Sequence, residues 1–228
     1  MVTQIVNKLI RSFKSEQFTL DKEIPSSRVF YIMFTKLVSL TCGMIKLKKV
    51  GPFFISPNTK VFSSNLIKVY GTLNVGHSCL FDALSSEGIE LGKNVSIHPF
   101  CSIEASGTLM NLGKGIKIGN NVGIGRNCHF GGAGGISVGD DTIFGQYVSV
   151  HSENHVFTNI DMAIRKQGVV RLGIEIGSNC WIGAKVTILD GAVIGDGCII
   201  AAGAVVIEGK YDKNAIYGGV PAKKIKDR

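Results

Sequence analysis

Aliphatic residues recur every six positions along the last third of the chain, at Ile176, Ile182, Ile188, Ile194, Ile200 and Val206. Four positions after each of the first five stands a smaller residue: Cys180, Val186, Ala192, Cys198 and Ala204. This spacing matches neither the 3.6 period of an amphipathic helix nor the 2 period of a half-buried strand. It fits a short strand, a tight turn and a change of direction. Three such units make a coil of about 18 residues, and coils stack as a solenoid. The same spacing links Leu91, Ile97, Ile103 and Leu109, then Ile118, Ile124 and Phe130, then Val138, Phe144 and Val150. A pentapeptide Gly-Ile-x-aliphatic-Gly opens a coil at Gly88, Gly115, Gly135 and Gly173, at spacings of 27, 20 and 38. The long spacings predict insertions of about 7 and 18 residues beyond the repeat, the larger one between Val150 and Gly173.

Composition agrees with this pattern. Glycine supplies 29 of 228 residues, against an average usage of roughly 7%. With five prolines and 45% hydrophobic residues, the excess belongs to turns of a packed chain rather than to disorder. Cys79, Cys101, Cys128, Cys180 and Cys198 each follow a repeat aliphatic by four positions, and no CxxC is present. These cysteines therefore read as small inward packing residues, and no metal is expected.

The net charge of +8 is concentrated at the start, where residues 1–50 carry nine Lys or Arg against three Asp or Glu. Val2, Ile5, Val6, Leu9, Ile10 and Phe13 share one face of a helix. A second helix is predicted after Pro25, with Ser26 or Ser27 as cap, running toward Gly43 or the Lys46, Lys48, Lys49 cluster. The interleaved basic residues lack the layout of a secretory signal, and Val29 to Ile45, interrupted by Lys36, is short for a membrane span. A cytoplasmic chain is expected. Two uses of the segment stay open: packing on the solenoid or between subunits, and peripheral attachment to the inner face of an anionic membrane. Nucleic acid is not expected, since no aromatic platform accompanies the charge. The chain divides into a helical segment at 1–50 and a solenoid at 51–228 with an inserted loop at 151–172.

The run IEIGSNCWIGAKVTILDGAVIGDGCIIAAGAVV, followed by GGVPAKKIK, resembles the hexapeptide-repeat acyltransferases, in particular the sugar O-acetyltransferase branch that includes maltose, galactoside and surface-polysaccharide acetyltransferases. The resemblance implies an all-β solenoid, a left-handed parallel β-helix with an N-terminal helical segment and a short C-terminal helix. It also implies a homotrimer, acetyl-coenzyme A as donor and a carbohydrate acceptor in surface polysaccharide or lipopolysaccharide assembly.

Acyl transfer to a hydroxyl needs a general base near neutral pKa, the usual work of histidine. The inserted loop carries His151 and His155, and the family's catalytic histidine lies in this loop ahead of Asn-x-Trp-Ile-Gly. That pattern matches His155 before Asn179 to Gly183, with His151 as the rival. Glu153 is the candidate to orient the imidazole. His151, Trp181, Asp161 and Arg165 are candidate acceptor contacts. The family's donor track maps onto Gly183, Ala184, Ala201, Ala202 and Gly203, with an amide of Gly183 or Ala184 for the oxyanion and Lys210, Lys223 and Lys224 for phosphates. The acceptor-binding asparagine of galactoside acetyltransferase falls at Gly131, within the glycine-rich run 131–135, which suggests a different or bulkier acceptor. Two alternatives remain beside this reading. One is a γ-carbonic-anhydrase-like metalloenzyme using His129, His151 and His155, and the other is a xenobiotic acetyltransferase.

Overall fold

The computed structural model describes residues 20, 21 and 23–228; the first predicted helix lies outside them. Helix α1 (Ser26–Leu47) follows Pro25, whose carbonyl accepts from the Arg28 and Val29 amides, with no side-chain cap from Ser26 or Ser27. It ends where Lys48 turns left-handed, at φ 54°. Gly43 lies inside the helix because a Cβ there would sit 1.8 Å from the Phe53 carbonyl oxygen. Glycine thus lets α1 press onto the first coil. Leu47 joins the core, and Lys46 and Lys49 donate to the carbonyls of Thr59 and Ile67 at 2.8 and 2.6 Å. The C-terminal half of α1 therefore lies against the first coil, and part of the basic cluster is spent there. The N-terminal half leaves Phe30, Phe34 and Leu37 exposed. At 22 residues and mean hydropathy 1.4, α1 is long and apolar enough to cross a membrane by length and composition.

The chain from Phe53 onward winds as a left-handed parallel β-helix whose strands stack into three sheets. Face one begins with Phe53–Ile55, face two with Lys60–Phe62 and face three with Ile67–Val69. Each later coil adds one strand to each face in parallel register. The repeat residues Ile176 to Val206 all point inward at 3% exposure or less, and the small residues four positions on are as deeply buried. Leu109 departs from this pattern. It is 88% exposed, because the third coil leaves the prism at 105–113 and the inward position passes to Ile116.

The cysteines behave as packing residues with one extra task. Cys79, Cys101 and Cys128 donate their thiols to the carbonyls of His98, Gly125 and Gly145 at 3.2, 3.0 and 3.2 Å. Each thiol thus satisfies a turn carbonyl of the next coil that would otherwise face the core unpaired. Burial pushes the Cys180 and Cys198 thiols up, away from reactive thiolate character.

The expected short C-terminal helix is a strand. Lys223–Asp227 folds back antiparallel on Ala215–Gly218 at the edge of face one. An unpaired edge strand leaves backbone donors and acceptors open. The returning segment pairs them, with Ile225 laid over Gly218.

Candidate active site

Parallel, in-register coils turn sequence spacing into columns on the outer surface. On face two, Ser102, His129 and Ser149 form one column, and Glu104, Gly131 and His151 form the next. His129 Nδ1 lies 2.6 Å from Ser102 Oγ and 3.7 Å from Glu104 Oε1. His151 Nε2 lies 2.5 Å from Ser149 Oγ. The two imidazoles face each other with centroids 5.2 Å apart.

Partial burial, and then the nearby His129 ring, hold the His151 pKa below its ordinary 6.5. Its protonation therefore opposes folding. The stability it contributes is complete above the ordinary value and is lost as pH falls below it. In an NMR titration, His151 should ionise below the ordinary histidine value, and His129→Ala should move it upward by removing the like charge. An unmoved His151 would assign the whole effect to burial.

The larger insertion leaves the prism after His151, at the edge where face two turns into face three. Its stem is a two-stranded ladder of Asn154–His155 with Val169–Val170. His155 thereby sits on a hairpin, exposed. The tip is closed by Gln167, whose Nε2 donates to the carbonyls of Asn159 and Met162. Asp161 and Arg165 are exposed on that tip.

Three buried or half-buried groups root this loop, and none was singled out in the sequence. Ser152 Oγ donates to the Gly131 carbonyl and accepts from the Gly134 amide at 2.8 and 2.9 Å. Arg171 donates to Glu153 at 2.6 Å, and to Asn111 Oδ1 and the Leu112 carbonyl at 3.0 Å each. Asp190, fully buried, accepts the amides of Leu172 and Gly173 at 2.9 and 2.8 Å. Arg171 thus ties the two insertions together across the fourth coil. That crossing explains much of the glycine run. A Cβ on Gly134 would meet the Ser152 carbonyl oxygen at 1.9 Å and the Arg171 Cβ at 3.2 Å. Gly131 is under less pressure: a Cβ there would press on His129 Nε2, the end of a side chain, at 3.1 Å and meet the Val150 carbonyl oxygen at 3.5 Å.

The predicted residues are brought together in part. His151 and the stem bearing His155 lie in one stretch of the fifth coil, but the Glu153 carboxylate is held by Arg171. Trp181 stands on face one, between Ile143 and Ile199 in register and 53% exposed. Gly183 and Ala184 stack on Ala201, Ala202 and Gly203 at the edge between faces one and two, where a Cβ on Gly183 would lie 2.6 Å from the Ala202 nitrogen. The Gly183 amide is spent on the Ile200 carbonyl at 2.8 Å. Lys223 and Lys224 pair with Gly218 and Tyr217 on face one, close to Ala201. Lys210 lies apart on face three. Exposed Lys185, left-handed at φ 60° on the same edge as Ala184, was missed. Among the described residues no three His, Cys, Asp or Glu side chains are grouped to hold a metal.

Residues 173–208 match the family described as bacterial transferase hexapeptide (six repeats). The chain is 30% identical over 149 residues to a probable acetyltransferase of Mycobacterium tuberculosis, covering 60% of this chain and 49% of that protein. It is 29% identical over 123 residues to WbbJ of Escherichia coli, named for O-acetyl transfer in lipopolysaccharide biosynthesis, covering 50% of this chain and 62% of that one. The chain thus spans less than two thirds of either relative. A point mutant of AntD, an N-acyltransferase from Bacillus cereus crystallised with dTDP and coenzyme A, superposes with a TM-score of 0.51 at 27% identity. That match covers 68% of this chain and 83% of AntD. With its coils, its glycine-turned edges and its repeat signature at 173–208, the chain is similar to the hexapeptide-repeat acyltransferases.

Proposed function

We propose that the protein is an acetyl-coenzyme A-dependent O-acetyltransferase acting on a sugar hydroxyl of a surface polysaccharide or its precursor, with His155 as general base. The observation that carries this reading is the rooted loop. An exposed imidazole stands on a short hairpin stem whose two ends are tied into the coil stack by Ser152, Arg171 and Asp190. A base must be held in place to act within hydrogen-bond reach of its substrate. The coenzyme A bound to AntD and the O-acetyl transfer for which WbbJ is named support donor and acceptor class.

In this reaction His155 takes the hydroxyl proton as the sugar oxygen attacks the thioester carbonyl. The Ala184 amide donates to the oxyanion of the tetrahedral intermediate. Collapse expels the coenzyme A thiolate, which recovers the proton from the imidazolium. The stacked small residues Gly183, Ala184, Ala201, Ala202 and Gly203 let the donor's arm approach the backbone, with Lys185 and Lys223 available to its phosphates and Lys224 held beside them by Asp227 at 2.7 Å.

Trp181 and His151 point outward from different faces, so a site that uses both is completed by a neighbouring copy, in line with a homotrimer. The unpaired face of α1, with Phe30, Phe34 and Leu37, suits contact with the inner face of a membrane. The test is release of free thiol from acetyl-coenzyme A by the full chain, with and without mono- and oligosaccharides. Acceptor-dependent release is expected. Failure to bind coenzyme A at all would overturn the reading.

A further inference from the structure

The smaller insertion, at 105–113, adds little to the core: Leu109 and Met110 at its tip are 88% and 99% exposed. It is nevertheless held in one shape. Thr108 and Asn111 exchange backbone hydrogen bonds at 3.0 and 3.1 Å, the Asn111 amide also reaches Thr108 Oγ1, and the Gly113 carbonyl accepts the Ser86 amide at 2.9 Å. Ordering an exposed segment costs conformational entropy, and what the order creates here is a cradle of acceptors. Asn111 Oδ1 and the Leu112 carbonyl each lie 3.0 Å from Arg171 Nη1, and the Asn111 carbonyl lies 3.4 Å from Nη2. The remaining nitrogen, Nε, donates to Glu153 at 2.6 Å. With all three guanidinium nitrogens engaged, the planar fork is fixed in orientation. Gly107 belongs to the same fit, because a Cβ there would lie 2.6 Å from Nη2.

Glu153 and Arg171 stand next to the ladder that pairs Asn154 with Val170 and His155 with Val169. That ladder has two rungs, and an isolated two-stranded hairpin is marginally stable in water. Ser152 and Asp190 tie the loop to the coils where it leaves and re-enters them. Arg171 alone of the three carries the stem to a body outside the coils. We infer, on the acyltransfer reading with His155 as base, that the insertion at 105–113 is a buttress for the His155 hairpin, with Asn111 and Arg171 as positioning residues. Glu153 then serves as the anion of the clamp rather than as the partner of the imidazole. Lysine does not replace Arg171 in this role, since a single ammonium lacks the rigid fork that spans Glu153 and the insertion together. Without the buttress His155 remains in the chain but is no longer held where the hydroxyl arrives, and a misplacement of about 1 Å can cost roughly 10²-fold in rate.

The experiment compares the full wild-type chain with Arg171→Ala, Arg171→Lys and Asn111→Ala, each alone and combined with His155→Ala. Hydrogen exchange is read at Val156, whose amide donates to the Gly168 carbonyl at 3.1 Å within the hairpin, and at Ser149, whose amide donates to the Val186 carbonyl in the stack. Thiol release from acetyl-coenzyme A is read over a series of mono- and oligosaccharide concentrations. In both Arg171 variants Val156 should exchange faster while Ser149 keeps its protection. Arg171→Ala should lower kcat at least about tenfold, lysine should restore only part of that loss, and the KM for acetyl-coenzyme A should stay within about twofold of wild type. Asn111→Ala leaves both backbone carbonyls in the cradle, so it should show the same pattern at smaller size, and it decides the matter if Arg171→Ala fails to fold. On the His155→Ala background none of these substitutions should lower kcat further, because they act through a ring that is gone; a structural role elsewhere would add its own loss. Unchanged exchange at Val156, unchanged kcat, or full additivity with His155→Ala would overturn the buttress. If wild type releases thiol and His155→Ala does not, that failure leaves the acyltransfer reading standing. If wild type neither binds coenzyme A nor releases thiol, that reading falls and the positioning role falls with it.

Discussion

His155→Ala should lower acceptor-dependent thiol release by at least about a hundredfold, the lower end of what a positioned general base contributes. Coenzyme A binding and the thermal midpoint should stay close to wild type. The separation follows from where the residue sits. His155 is exposed on a two-residue ladder held through its backbone to Val169, so removal of the ring takes away no buried contact. The loop's roots at Ser152, Arg171 and Asp190 are untouched. A surface histidine with no chemical task would show no loss of rate under the same substitution. Release that persists in His155→Ala but falls in His151→Ala would transfer the role to His151. In that event the Ser149 hydroxyl, already beside His151 Nε2, would orient the base.

What could be read from the sequence divides along a physical line. The inward residues from Ile176 to Val206 were legible because a coil repeats its own environment every six residues, so local spacing carries tertiary information. The same arithmetic misplaced Leu109. A period can be counted across the start of an insertion without any sign that the chain has left the prism. The C-terminal strand was missed for a related reason: what Lys223–Asp227 becomes depends on the open edge of Ala215–Gly218, and nothing in its own residues states that an edge is waiting. Glu104 and His129 were recoverable, since once coils are aligned they fall in the columns of His151 and Ser149. The loop's anchors were not. Arg171 meets Asn111 from 60 residues away, and Asp190 meets Leu172 and Gly173 from 18 and 17. Such pairings follow from the stacking of coils, which only the folded chain displays.

Asp190 carries the largest expected effect on stability. Its carboxylate is fully buried, and each oxygen accepts one backbone amide, Oδ2 from Leu172 and Oδ1 from Gly173. These amides are where the inserted loop re-enters the coil stack, and the Gly173 carbonyl accepts the Gly191 amide at 2.8 Å in the next coil. Asp190→Ala strands two donors, each costing about 1–3 kcal/mol when buried without a partner, so a loss of about 3 kcal/mol or more is expected. For a chain of this size that corresponds to a fall of roughly 10 °C in the thermal midpoint. Asp190→Asn keeps one acceptor oxygen and strands one amide opposite its own NH2 group, so it should fall between wild type and Asp190→Ala. Hydrogen exchange gives the second readout. The amides of Leu172 and Gly173 should lose protection in both variants, while those of the coils at 53–104, remote from the loop, should keep it. Equal loss of protection along the whole chain would mean that Asp190 supports the solenoid as a unit. Loss confined to the loop and its neighbouring coils would identify it as the group that holds the hairpin of His155 against the stack, and would couple the loop's stability to the rate measured in the His155 experiment.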